Sequence, residues 1–340
     1  MGWGLLGLES ATLTLARMMR AGRLPHALLL TGPRGGGKNS LARALAAALN
    51  CAGPDQDGGP CGQCPSCLKV AKDIHPDLIT LAPVGKKRQI KIDDVRALRG
   101  QMAFRPFEGR VKIFIIREAD RLNPDSGNAL LKTLEEPPPD SVLILTTSSA
   151  SEVMTTILSR CLRLRLPPLP HQAVLAALAE KRGLSGPQAR LLASSSAGAL
   201  GAALALDPEE TWRKWAGLNA VLGAPAGPAR LEVAWRWVKD MVSASEPAAE
   251  DEGAAERFYE TLNLMRLWWR ETARLSAAGP ESLEGPPPAP AQFLWAERLS
   301  PPGLARSLAA LNKLTDSLSR FVKPELAFEN YWLSVFALWR

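Results

Sequence analysis

No run of about 18 consecutive apolar residues occurs in the 340-residue sequence, so no membrane-spanning helix is expected. The N-terminus lacks the order of basic region, long apolar stretch and small-residue cleavage site that marks a secretory signal. Met1-Gly2 does not continue into a myristoylation pattern, because Leu6 stands where Ser or Thr is needed. These absences make the cytoplasm the expected compartment, with no membrane partner. Internal repeats are absent too. Strand-like patterns disappear after Pro167-Pro168-Leu169-Pro170, which confines any sheet to the first half of the chain.

What is present is enough for two or three ordinary domains. Hydrophobic residues make up 46 % and charged residues 22 %, a balance that supports packed cores. The net charge of +7 is unevenly spread. Residues 1–165 hold 23 Lys+Arg against 15 Asp+Glu, and the remainder holds 18 against 19. A basic N-terminal half suits a polyanion, either nucleic acid or nucleotide phosphates, and equally suits a plain solvated surface.

Short apolar runs at Ala27–Thr31, Val111–Ile116, Val142–Thr147 and Leu162–Leu166 read as buried parallel strands. Between them, residues 40–50, 92–101, 125–136 and 153–159 have helical patterns. Pro137-Pro138-Pro139 stops the third of these helices. Alternating strands and helices predict an α/β domain over residues 1–167. Two short helices, 171–182 and 187–196, predict a small helical module over 168–207. Residues 208–340 read as all-helical. Trp212, Trp215, Trp235, Trp237, Trp268 and Trp269 are expected mainly in its core rather than as a base-stacking platform.

Gly32-Pro33-Arg34-Gly35-Gly36-Gly37-Lys38-Asn39 nearly completes the phosphate-loop pattern G-x-x-x-x-G-K-[ST] between a strand and a helix. Gly32, Gly35 and Gly37 let backbone N–H groups curl round phosphate oxygens, and Lys38 adds a point charge at a helix N-terminus. The eighth position departs from the pattern. Asn39 replaces the hydroxyl that ligates Mg²⁺, and Ser40 comes one residue late, about 100° round the helix. The second strand should end in an acid but continues into Arg117 and Glu118. A guanidinium about 5 Å from Mg²⁺ would repel it by about 7 kcal/mol at an effective dielectric of about 20. Asp120 is expected roughly 10 Å farther on, if the chain stays extended. The expectation is a loop able to hold ATP or ADP but unable to hydrolyse it.

Cys51, Cys61, Cys64 and Cys67 follow C-x₉-C-x₂-C-x₂-C in a Gly/Asp/Pro loop. Four thiolates at this spacing suit tetrahedral Zn²⁺ with no open position, hence a structural site. An iron–sulfur cluster usually needs different spacing, and disulfides fit a cytoplasmic protein poorly. Cys161 stands apart from this quartet.

The stretch Asn128-Ala129-Leu130-Leu131-Lys132-Thr133-Leu134-Glu135-Glu136-Pro137-Pro138, then a strand and Ser159-Arg160-Cys161, resembles the bacterial clamp-loader AAA+ family. With the phosphate loop and four-Cys loop before it, the order of motifs is similar to that of gamma/tau and delta-prime subunits of DNA polymerase III across residues 1–167. The resemblance implies an AAA+ domain with a zinc loop at 51–67, a helical lid at 168–207 and a helical collar at 208–340. It implies a hetero-oligomer with gamma/tau and delta subunits, which places a sliding clamp on primed DNA. It also implies that Arg160 is an arginine finger reaching a neighbour's ATP site.

A gamma/tau motor would carry Thr or Ser at 39, Asp at 117 and an Arg where Gly201 stands in Gly198-Ala199-Leu200-Gly201. Losing those contacts while keeping Arg160 implies a delta-prime-like, non-hydrolysing subunit; a gamma/tau-like ATPase is the alternative. In the same family Thr146 and Thr147 occupy the place of a γ-phosphate sensor. His26 is expected to pack at a strand entry. Lys86-Lys87-Arg88 and Lys91 form a basic run, read as solvated loop or as a contact for DNA backbone or a partner.

Overall fold

The computed structural model describes residues 3–84, 88–244, 258–320 and 322–339. Lys86 and Lys87 of the basic run therefore lie outside the described residues. The chain divides into two compact units, Met1–Leu169 and Pro170–Arg340.

The first unit is a five-stranded, all-parallel sheet: β1 (Ala27–Thr31), β2 (Leu78–Leu81), β3 (Lys112–Ile116), β4 (Ser141–Thr147) and β5 (Leu162–Arg165). The spatial order is β2-β3-β4-β1-β5. Alternation along the strands splits the core in two, as a period of two requires. Leu28, Leu30, Ile113, Ile115, Val142 and Ile144 face helices α1 (Glu9–Arg20) and α2 (Lys38–Leu49). Ala27, Leu29, Phe114, Ile116, Leu143 and Leu145 face α4 (Ile92–Met102), α5 (Pro124–Glu135) and α6 (Thr155–Leu158). Both faces being covered explains why the strands read as continuous apolar runs. His26 sits at the entry of β1, where its Nε2 lies 3.0 Å from the Leu134 carbonyl.

Three elements had no clear sequence signal. Helix α1 has no side-chain cap. Strand β2 is a four-residue edge with only partial burial. Helix α3 (Pro65–Ala71) starts inside the expected cysteine loop. Its cap is sulfur: the Cys67 N–H donates to Cys64 Sγ, with Pro65 at the first helical position.

The second unit is helical throughout its described residues. Helices α7 (His171–Arg182), α8 (Gly186–Ser195) and α9 (Leu200–Ala205) lead into α10 (Pro208–Gly223) and α11 (Pro228–Ala244). Four more follow: α12 (Tyr259–Ala278), α13 (Pro290–Arg298), α14 (Pro301–Ser319) and α15 (Pro324–Phe336). Trp215, Trp268, Trp269, Trp295 and Trp332 are buried in its core, and Trp237 packs against it. Trp212 and Trp235 are exposed. Three of the buried indoles spend their N–H groups locally: Trp268 on Asn219, Trp269 on Tyr331 and Trp295 on the Leu222 carbonyl. Most of the tryptophan stripe is thus core.

Candidate functional site

The phosphate loop leaves β1 at its C-terminal end and enters α2. Gly35 and Gly37 have φ of +72° and +83°, conformations that only glycine adopts without strain. A Cβ on Gly32 would stand 2.5 Å from the Leu166 carbonyl oxygen, so the start of the loop also has no room for a side chain. Gly37 is the N-cap of α2, which therefore begins at Lys38, two residues before the sequence pattern implied. The Lys38 ammonium curls back and donates to the Gly32 and Pro33 carbonyls, each at 2.7 Å. Burial lowers its pKa to about 8, with the charges of Asp120 and Glu118 pulling it upward and Arg34 pushing it further down. Asn39 is half-buried and Ser40 is exposed on the first turn of α2.

The end of β3 departs from the extended path assumed for it. Glu118 takes a left-handed conformation at φ +52°, and Ala119–Arg121 form a 3₁₀ turn. The turn folds Asp120 back against the end of β4, where the Thr147 hydroxyl donates to its Oδ1 at 2.6 Å. Its side chain is only 6 % exposed. The estimate that placed Asp120 far along a straight chain is corrected by this turn: Asp120 is the strongest attractive charge acting on Lys38. Arg117 is exposed and does not figure among the charges acting on Lys38. Glu118 is held by the Arg88 guanidinium at 2.8 and 3.1 Å, and its N–H donates to Thr146 Oγ1 at 3.2 Å.

Arg160 follows the single turn of α6, immediately before β5. It donates to the Thr156 carbonyl at 3.0 Å, to Ser159 Oγ at 3.2 Å and to Glu135 Oε1. Its side chain remains 34 % exposed. Its neighbour Cys161 is buried, and burial pushes that thiol up to about 11, leaving it protonated and inert at neutral pH.

The structure gathers the four sequence-predicted metal ligands. Sγ atoms of Cys51, Cys61, Cys64 and Cys67 lie within 4.8 Å of one another. Three of the separations are 3.7 Å (Cys51–Cys67) and 4.0 Å (Cys51–Cys64 and Cys61–Cys67). Tetrahedral Zn²⁺ with Zn–S of about 2.3 Å sets sulfurs about 3.8 Å apart, whereas a disulfide needs about 2.05 Å. The Cys61 and Cys64 N–H groups each donate to a neighbouring sulfur at 3.3 Å, as they do to thiolates. Donor type, number and spacing fit a zinc ion. Ala47, Val70 and Leu78 pack round the cluster and tie it to α2, α3 and β2.

Two buried polar residues that sequence reasoning passed over fix the neighbouring loop. Asp77 accepts from the Phe107, Glu108 and Gly109 N–H groups at 2.6, 2.9 and 2.7 Å. Asn50 Oδ1 accepts from the Arg110 and Val111 N–H groups at 2.8 and 2.9 Å, and its Nδ2 donates to the Val111 carbonyl. Neither has a motif, because each binds backbone far away in sequence.

Comparison with known proteins follows the same boundary as the first unit. Residues 7–170 match the family described as "DNA polymerase III, delta subunit". The chain is similar to DNA polymerase III subunit gamma/tau of Mycobacterium bovis, 40 % identical over 184 residues, 53 % of this chain and 31 % of that protein. It is similar to subunit tau of Escherichia coli, 37 % identical over 206 residues, 59 % of this chain and 31 % of that protein. Subunit delta′ of Pseudomonas aeruginosa is 39 % identical over 148 residues, 44 % of each chain. The chain thus spans less than half the length of these curated relatives. Among solved structures, a gamma subunit-related protein of Thermotoga maritima aligns over 97 % of this chain and 99 % of its own, at 17 % identity and a TM-score of 0.47.

Proposed function

We propose that the chain belongs, through its N-terminal unit, to the DNA polymerase III clamp-loader family and serves there as a delta-prime-like subunit that does not hydrolyse ATP itself. The observation that carries this reading is an asymmetry between two sites. Arg160 is half-exposed at the surface of the unit, while the chain's own phosphate loop lacks the magnesium hydroxyl at Asn39 and has Arg117 at the end of β3. Glu118, the carboxylate best placed in sequence to polarise a water, is ion-paired with Arg88.

In this reading the loop of Gly32, Gly35, Gly37, Lys38, Asn39 and Ser40 holds ATP or ADP without turning it over. Backbone N–H groups and Lys38 would grip the phosphates. Arg160 reaches a nucleotide bound by a neighbouring gamma/tau subunit, where a planar guanidinium neutralises charge growing on the transferred phosphoryl group. Cys51, Cys61, Cys64 and Cys67 hold a structural zinc that supports the corner between α2, α3 and β2. Residues 168–207 act as a lid and 208–340 as a collar in a cytoplasmic hetero-oligomer with gamma/tau and delta subunits, which acts on a sliding clamp and primed DNA through the complex.

The test is reconstitution with the gamma/tau and delta subunits of the same organism. The purified chain alone should show no ATP turnover, and its addition should raise the clamp- and DNA-stimulated turnover of the mixture. Steady turnover by the isolated chain, abolished by Lys38→Ala, would establish the gamma/tau-like alternative instead.

A further inference from the structure

We infer that Asp120, carried back to the phosphate loop by the turn after β3, replaces the missing strand-end acid as the carboxylate that supports a nucleotide-bound divalent cation. The inference rests on reading Gly32–Ser40 as a nucleotide loop and adds a metal-supporting residue to it.

Three observations carry it. The left-handed Glu118 and the 3₁₀ turn at Ala119–Arg121 shorten the path from β3, so a residue three positions beyond Arg117 returns to the end of the sheet. The Thr147 hydroxyl, on the last residue of β4, holds Asp120 Oδ1 at 2.6 Å. Thr147 pairs in register with Thr31, the residue directly before the loop's first glycine. The Asp120 carboxylate is thereby anchored beside the strand that feeds the loop, and it is the principal attractive charge on Lys38. Its other oxygen, Oδ2, lies 3.8 Å from Arg121 Nε, whose side chain is 44 % exposed and free to turn to solvent.

The chemistry suits Mg²⁺, which keeps several waters and binds through one or two carboxylates together with substrate phosphates. One buried carboxylate beside a phosphate loop supplies that requirement without a hydroxyl at position 39. The site would then retain cation-dependent nucleotide binding while turnover is lost, because the other carboxylate, Glu118, is committed to Arg88.

The experiment is a fluorescence titration of the full chain with N-methylanthraniloyl-ADP, once in EDTA and once in Mg²⁺. Wild type should bind at least about fivefold more tightly with Mg²⁺, the gain of one carboxylate–cation contact at a partly solvated site. Asp120→Asn should keep the EDTA affinity and lose the Mg²⁺ response. Thr147→Val removes the anchoring hydroxyl, together with its bonds to the Ser149 N–H and carbonyl, and should weaken the same response, which keeps the test readable if Asp120→Asn fails to fold. Equal wild-type affinity with and without Mg²⁺, or an Asp120→Asn variant that keeps the response, overturns the inference and leaves the nucleotide loop standing. No binding in either buffer overturns the loop reading and this inference together.

Discussion

Arg160 and Glu135 form an ion pair that joins the end of α5 to the turn before β5, two segments 25 residues apart in sequence. Glu135 is the first acid of Leu134-Glu135-Glu136-Pro137 and Arg160 the centre of Ser159-Arg160-Cys161, so the two motifs behind the family resemblance meet in one contact. The Arg160 side chain is 34 % and the Glu135 side chain 50 % exposed, so water reaches the pair and it is a weak tether, worth about 0.2–1 kcal/mol. A tether of that size orients the guanidinium without trapping it.

Arg160→Ala should therefore leave folding and assembly intact and lower ATP turnover by on the order of 10³ at the neighbouring site it faces. Glu135→Gln should alter stability by less than about 1 kcal/mol and spare most of the turnover. Steady-state ATPase of the reconstituted complex, with thermal melts of each variant, checks both. Unchanged turnover with Arg160→Ala counts against the finger.

The cysteine cluster should bring about one zinc per chain in metal analysis of protein purified without chelator. Cys67→Ser should lower the melting temperature of the metal-loaded protein by at least about 5 °C, since about 1 kcal/mol corresponds to roughly 2–4 °C in a unit of this size. A folded, metal-free wild type melting at the same temperature would remove the zinc assignment.

Asp77 should make the first unit sensitive to acid. Burial works against its ionised form, but the N–H groups of Phe107, Glu108 and Gly109 outweigh burial, and nearby His75 adds to them, so its pKa falls below the usual carboxylate range. A depressed folded pKa gives stability that is fully present above the unfolded value of about 3.9 and is lost as pH falls through the folded value. Asp77→Asn should cost about 2–4 kcal/mol at neutral pH and flatten the loss of stability below about pH 4. Urea melts from pH 7 to pH 3 measure both effects.

Lys38 gives a second pH signature. With its pKa lowered to about 8, the ammonium deprotonates just above neutrality, so affinity for a phosphate-bearing ligand should fall as pH rises through about 8. Folding responds in the opposite sense. The buried charge costs stability below about pH 8, and the cost disappears as pH climbs toward 10.5, the ordinary lysine value of the unfolded chain. Lys38→Met should bind weakly at every pH and lose the slope. Titrations of labelled nucleotide between pH 7 and pH 9.5 distinguish the two proteins.

Much of this protein was legible in its residues because the governing signals are local. Buried strands announce themselves as apolar runs, and β1, β3, β4 and β5 stand within a residue of the expected limits. Gly35 and Gly37 declare a turn that other residues strain to make. Four cysteines with short spacings declare a metal, and their sulfurs do converge. Helix α3 was missed because a cysteine sulfur caps it, and β2 because a half-buried four-residue edge has no periodicity to detect. Asp77, Asn50 and the Glu135–Arg160 pair were invisible because each depends on a partner at least 25 residues away.

The residues by themselves determined strands β1, β3, β4 and β5, the glycine-built loop and which four cysteines come together, all consequences of local sterics and side-chain chemistry. Only the tertiary structure decided that Asp120 turns back to the end of β4. Sequence distance assumed a straight chain beyond β3, whereas one left-handed residue, Glu118, reverses its course and the Thr147 hydroxyl on another strand holds Asp120 there. Such a placement is set by a backbone reversal and a contact between strands, and neither leaves a periodic trace in the sequence.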